Sequence, residues 1–157
     1  MRLLLIAPLV GLLSLAPVFT VWAGSQEDVA AVADRWAQAF SAGNVEGIIA
    51  LYDARATLFG TRSPRRSDGR EAIRQYFVAT FAGSLKRQVT FIEPSIRVFD
   101  DAAAVNTGYY QFTIVLADGQ PRAVPARYSF TLVKHDGNWL IVDHHSSVLP
   151  GLLPPAR

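Results

Sequence analysis

The chain has 157 residues, half of them apolar and 18% charged, the make-up of one globular domain and not of a disordered segment. Fifteen basic residues stand against thirteen acidic ones, a net charge of +2 that gives no electrostatic case for nucleic acid or an anionic membrane as partner. With no cysteine, disulfides, thiolate nucleophiles and thiolate metal sites are excluded.

Residues 1–23, MRLLLIAPLVGLLSLAPVFTVWA, carry one basic residue, Arg2, then an uncharged apolar run ending in the small-x-small pattern Val21-Trp22-Ala23. This is the pattern of a signal peptide cleaved after Ala23, and it predicts a periplasmic or secreted protein. The rival is a retained membrane anchor, because the run approaches the length of a spanning helix. Pro8, Gly11 and Pro17 favour cleavage, so no stable membrane anchor is expected afterwards.

From 24 to 150 the chain reads as one domain, followed by a Pro-rich tail at 151–157. Residues 26–43 have helical spacing, with Val29, Val32, Ala33, Trp36, Ala37 and Phe40 on one face. Ser25 is positioned to cap that helix, Glu27 and Asp28 fall in its first turn, and Gly43 stops it. Asn44 caps a short second helix, VEGIIALY, with Asp53 in the turn beyond, and ATLFG is a short strand. The stretch TRSPRRSDGR holds Arg62, Arg65, Arg66 and Arg70 and reads as a solvated hairpin or loop, with anion binding as the lesser alternative. A third helix covers 70–83, with Ile73, Tyr76, Phe77 and Phe81 inward.

After residue 87 the period changes to two. RQVTFIEPSIRVF is a strand that Pro94 restricts to an edge or a bulge. AAVNTGYYQFTIVLA, RAVPARYSFTLVKH and WLIVDHHSS follow, separated by DGQP and DGN turns. Three helices followed by an antiparallel meander make an α+β layout, a curved, mostly antiparallel sheet wrapped over helices.

In this order the chain resembles the nuclear-transport-factor-2-like, or SnoaL-like, superfamily, whose fold is a cone-shaped α+β structure. Within it the chain is similar to the association (hub) domain of calcium/calmodulin-dependent protein kinase II and to bacterial relatives grouped as SgcJ/EcaC. The residues that carry the likeness are FSAGNVEGIIALYDARATLF, EPSIRVFDDAAAVNTGYYQF, DGQPRA and DGNWLIVDHHSS. The resemblance implies a pocket between the concave sheet face and the helices, and self-assembly into a dimer or higher oligomer through the outer face. The hub pocket holds arginines that take a carboxylate. Here Tyr110, Phe130 and Ser146 stand at three of those positions, so the hub's anionic ligand is not expected. With no kinase domain or linker in this sequence, organising kinase subunits is not its expected role.

Strand alternation assigns faces. If the final hairpin carries a glycine bulge at Gly137, Phe130 pairs with His144, Leu132 with Val142 and Tyr128 lies near Ser146 on one face. On the other, Val133 pairs with Ile141, Thr131 with Asp143, Ser129 with His145, and Arg127 lies near Ser147. The first face continues through Tyr110, Phe112, Ile114 and Leu116 and confronts Trp36, Tyr52 and Phe81 from the helical side. Tyr110, Tyr128, Phe130, His144, Ser146, Trp36 and Tyr52 are therefore the candidate residues for a small apolar or aromatic ligand. Most of them also suit a plain core.

Arg127, Asp143 and His145 are the candidate interface set, with Arg127 and Asp143 as an ion pair or Asp143 orienting His145. Adjacent histidines on a strand point to opposite faces, and no His-Glu-x-x-His spacing occurs, so no metal site is expected. No cofactor fingerprint appears, which leaves an oxidoreductase reading unsupported. Two functions stay open: an oligomeric binding module, or a polyketide-cyclase or ketosteroid-isomerase type of enzyme with His144 as acid/base. Every other carboxylate falls in a turn, on a helix surface or at a sheet edge, so the enzyme reading rests on His144 alone.

Overall fold

A computed structural model of the chain describes residues 20–151, with side chains from Ser25 onward. The expected signal peptide, apart from the backbone of 20–23, and residues 152–157 of the tail lie outside the described residues. The chain folds as an α+β domain in which three helices pack on one face of a six-stranded sheet.

Helix α1 spans Thr20–Ala42 and buries Val29, Val32, Ala33, Trp36 and Phe40, the stripe that its spacing dictates. It begins upstream of Ser25, so Ser25 lies inside the helix and does not cap it, and Glu27 and Asp28 lie beyond its first turn. Its end is a Schellman closure: Gly43 has φ +68°, the Gly43 amide donates to the Phe40 carbonyl, and the Asn44 amide to the Ala39 carbonyl. Asn44 caps α2 (Val45–Ile49) by accepting from the Gly47 amide at 2.8 Å.

The chain leaves α2 directly into β1 (Tyr52–Phe59), longer than the expected ATLFG strand, so Asp53 is a strand residue and not a turn residue. A short hairpin partner, β2 (Arg66–Asp68), precedes α3 (Gly69–Phe81), which buries Ile73 and Phe77. The arginine cluster does not converge. Arg66 pairs with Asp68 at 2.7 Å, Arg70 donates to the Tyr52 carbonyl at 2.8 Å, and Arg65 is exposed.

Strands β3 (Ser84–Val98), β4 (Ala103–Leu116), β5 (Pro121–His135) and β6 (Asn138–Val148) form the antiparallel meander. The sheet order is β2-β1-β6-β5-β4-β3, and β1 lies parallel to β6, which places β6 in the middle of the sheet. Edge strand β3 breaks register between Ile92 and Ser95, around Pro94, with Glu93 at φ +50°.

The β5–β6 hairpin settles the faces. Its turn is Asp136-Gly137, with φ of +49° and +79° and His135 paired to Asn138, a two-residue turn with no bulge. Leu132 therefore pairs with Ile141 and Val133 with Leu140, which corrects the expected Leu132–Val142 and Val133–Ile141 pairs. The extra residue sits further down, at Val142, and beyond it Thr131 pairs with Asp143, Phe130 with His144 and Tyr128 with Ser146. Without that bulge the alternation would carry Asp143 inward and His144 outward. The bulge lets Trp139 and Ile141 on one side of it, and His144 and Ser146 on the other, all reach the interior. Desolvating the Asp143 carboxylate instead would oppose folding strongly.

Candidate functional site

A cavity of about 410 Å³ lies between the sheet and the helices. Its apolar walls include Trp36 and Phe40 from α1, Phe77 from α3, Leu58 from β1, and Phe112, Ile114 and Val124 from the sheet. Its polar groups are Tyr110, His144 and Ser146 from the sheet, Thr61, Arg62 and Ser63 from the β1–β2 loop, and Tyr76 and Thr80 from α3.

Of the seven residues expected to hold a ligand, Trp36, Tyr110, His144 and Ser146 line this cavity. Tyr52 and Phe130 stand outside its lining, fully buried against His144: the Tyr52 hydroxyl lies 2.7 Å from His144 Nδ1, and the Phe130 ring meets the imidazole edge to face at 4.5 Å. Tyr128 turns away to donate to Asn106 Oδ1 at 2.9 Å. Leu116 and Phe81 are not part of the wall. Thr61, Ser63, Tyr76 and Thr80 escaped the sequence reading as site residues. Tyr76 and Thr80 share a helix face at i, i+4 spacing, a signal that was available, but the loop residues had no periodicity to mark them. Gly60 is what lets the loop meet Tyr76, since a Cβ there would lie 2.2 Å from the Tyr76 ring.

Four of these polar groups, Tyr110, His144, Ser146 and Thr61, belong to one connected chain. Trp36 Nε1 donates to the Tyr52 hydroxyl at 3.1 Å, and that hydroxyl meets His144 Nδ1. His144 Nε2 lies 3.5 Å from the Tyr110 hydroxyl, which donates to Ser146 Oγ, and Ser146 Oγ is bonded to Thr61 Oγ1. Burial, with a smaller contribution from His145, pushes the His144 pKa down to about 3, so the imidazole is neutral at ordinary pH. Burial also raises the Tyr52 and Tyr110 phenols above their ordinary values, which keeps both protonated. The site thus offers hydroxyls, an imidazole, apolar rings and, from the loop, the Arg62 guanidinium, with no carboxylate among its described lining residues. Among the described residues no cluster of histidines and carboxylates is arranged to hold a metal ion.

The outer face carries the three expected interface residues, but not as an ion pair. Arg127 donates to Ser147 Oγ at 3.0 Å, Asp143 accepts from Thr57 Oγ1 at 2.5 Å, and exposed His145 lies against the Phe59 ring at 5.8 Å. The reason is register: Asp143 sits opposite Thr131 and Arg127 opposite Ser147, two rungs apart on the same side of β6. The β1 neighbour Thr57 is the group within reach of the carboxylate. Exposed Tyr109 and Ile92 extend the row begun by Arg127, and Phe59, His145, Ser129 and Thr107 make the adjacent row.

Residues 25–150 match the family model of the calcium/calmodulin-dependent protein kinase II association domain. A Xanthomonas campestris structure, provisionally named as such an association domain, is 36% identical over 79% of this chain and 87% of its own, with a TM-score of 0.73. A nuclear transport factor 2-like protein from Salmonella enterica is 20% identical over 85% of this chain and 97% of its own, with a TM-score of 0.76. A Novosphingobium aromaticivorans protein, provisionally named a scytalone dehydratase, is 12% identical over 83% and 88%, also at 0.76. The last two share the fold alone. A search of curated proteins finds no match.

Proposed function

The chain belongs to the calcium/calmodulin-dependent protein kinase II association-domain family, and we propose that it is an exported member that assembles with copies of itself and holds a small, largely apolar ligand without transforming it. The observation that carries the binding reading is the cavity: about 410 Å³, mostly apolar in its walls, with Tyr110, His144, Ser146 and Thr61 joined in one hydrogen-bonded chain. Tyr110, His144 and Ser146 orient the ligand, and Trp36, Phe77 and Phe112 bury it.

Catalysis by His144 is the weaker reading. A general acid/base works best with a pKa near the operating pH, and an imidazole near 3 is several units too acidic. Among the described residues no carboxylate lines the cavity to act in its place.

Self-assembly rests on the family and on the outer face, where Tyr109, Ile92 and Phe59 expose apolar rings and chains beside Arg127 and His145. Export rests on residues 1–23. Mass spectrometry under non-denaturing conditions tests the first two claims together: an oligomer carrying a small molecule is the expected result, and a bare monomer would overturn both. N-terminal sequencing of protein recovered outside the cytoplasm tests the third, with Gly24 as the expected first residue.

A further inference from the structure

We infer that the ligand presents an uncharged carbonyl oxygen to His144 Nε2–H, so that the site selects an apolar ketone or quinone over the hydrocarbon of the same shape. This deepens the binding reading above and rests on it.

The assignment follows from hydrogen counting. Trp36 Nε1 can only donate, so the Tyr52 oxygen accepts there at 3.1 Å and has its own hydrogen to give. The group in reach is His144 Nδ1, at 2.7 Å. Nδ1 therefore accepts, and the proton of the neutral ring sits on Nε2. That nitrogen is on the edge facing Tyr110, a cavity residue, and its contact with the Tyr110 hydroxyl is long, 3.5 Å. The Tyr110 hydrogen is already committed to Ser146, whose oxygen is bonded to Thr61. His144 Nε2–H is thus a donor on a buried residue, 2% exposed, held in one tautomer and poorly used by the protein itself. A carbonyl oxygen supplies a closer acceptor than the Tyr110 hydroxyl does. The neutral ring gives a carboxylate no charge partner at this spot, since Arg62, the one cation among the described lining residues, is exposed on the β1–β2 loop and offsets little of the desolvation beside the buried imidazole. Tyr52, outside the lining, is a positioning residue in this scheme.

The test uses 1-tetralone and its carbonyl-free counterpart tetralin as probes, titrated by calorimetry into the purified protein. Tetralone should bind about tenfold more tightly than tetralin. Tyr52→Phe, which leaves Nδ1 without its donor and frees the tautomer, should shrink that preference several-fold while leaving tetralin affinity unchanged. Nitrogen NMR of the unaltered protein, which needs no variant to fold, should place the His144 proton on Nε2. Equal affinity for the two probes, or a proton on Nδ1, overturns the inference while the cavity remains a binding site. Binding of neither probe overturns the binding reading and this inference together.

Discussion

His144 ties the folded state to pH. Its folded pKa of about 3 lies below the value near 6.5 of an unfolded histidine, so between those limits the unfolded chain takes up a proton that the folded one refuses. Stability is complete above about pH 6.5 and is lost as pH falls, at roughly 1.4 kcal/mol per unit from this residue. Urea unfolding at pH 7, 6 and 5 should show stability falling with pH, about half that slope between 7 and 6 and nearly all of it between 6 and 5, and His144→Gln, which cannot titrate, should flatten it. At Gly60 the expected effect is on the cavity: Gly60→Ala places a methyl where the Tyr76 ring stands, so the ring must swing and ligand affinity should fall about tenfold, read by the same calorimetry. Of the site residues, those on strands were legible because alternation marks them. Thr61 and Ser63 were not, because a loop side chain is aimed by its own turn and not by a repeat.

Among the elements, the final hairpin carries the decisive geometry. Gly137 has φ +79°, so Gly137→Ala should cost about 1 kcal/mol in urea unfolding, with the fold retained. The bulge at Val142 makes a sharper prediction. Deleting Val142 removes the extra residue and leaves Ile141 and His144 on the inner face, so circular dichroism should report a folded domain, weakened by about 1–3 kcal/mol. Deleting Leu140 gives the same bulge-free register with Val142 inward in place of fully buried Ile141, so that variant should also fold, weaker than the Val142 deletion by about 1 kcal/mol. The alternation of β5 and the pairing of Phe130 with His144 were readable in advance. The place of the bulge was not, because a bulge at the turn and a bulge at Val142 give the same pairing beyond Thr131.

For the whole molecule, the sheet has an inner face committed to core and cavity and an outer face with Arg127, Tyr109 and Ile92 in one row across three strands. Tyr109→Asp puts a charge at the centre of that face and should weaken self-association at least tenfold, measured by light scattering across a dilution series. The cavity is on the other side of the sheet, so tetralone affinity should be unchanged in the same variant.

The amino-acid sequence alone determined the layout of three helices and an antiparallel meander, the family, the stripe through Trp36 and the inward side of Tyr110 and Phe130. The layout, the stripe and the facing are written in a local period, 3.6 or 2, that the chain repeats often enough to read, and the family in motifs such as DGNWLIVDHHSS. Tertiary structure decided the parallel contact of β1 with β6, the choice of Thr57 as partner of Asp143, and the arrival of Thr61 and Tyr76 at the cavity. Those depend on which distant segments meet across the sheet, a matter of packing and register that no local pattern encodes.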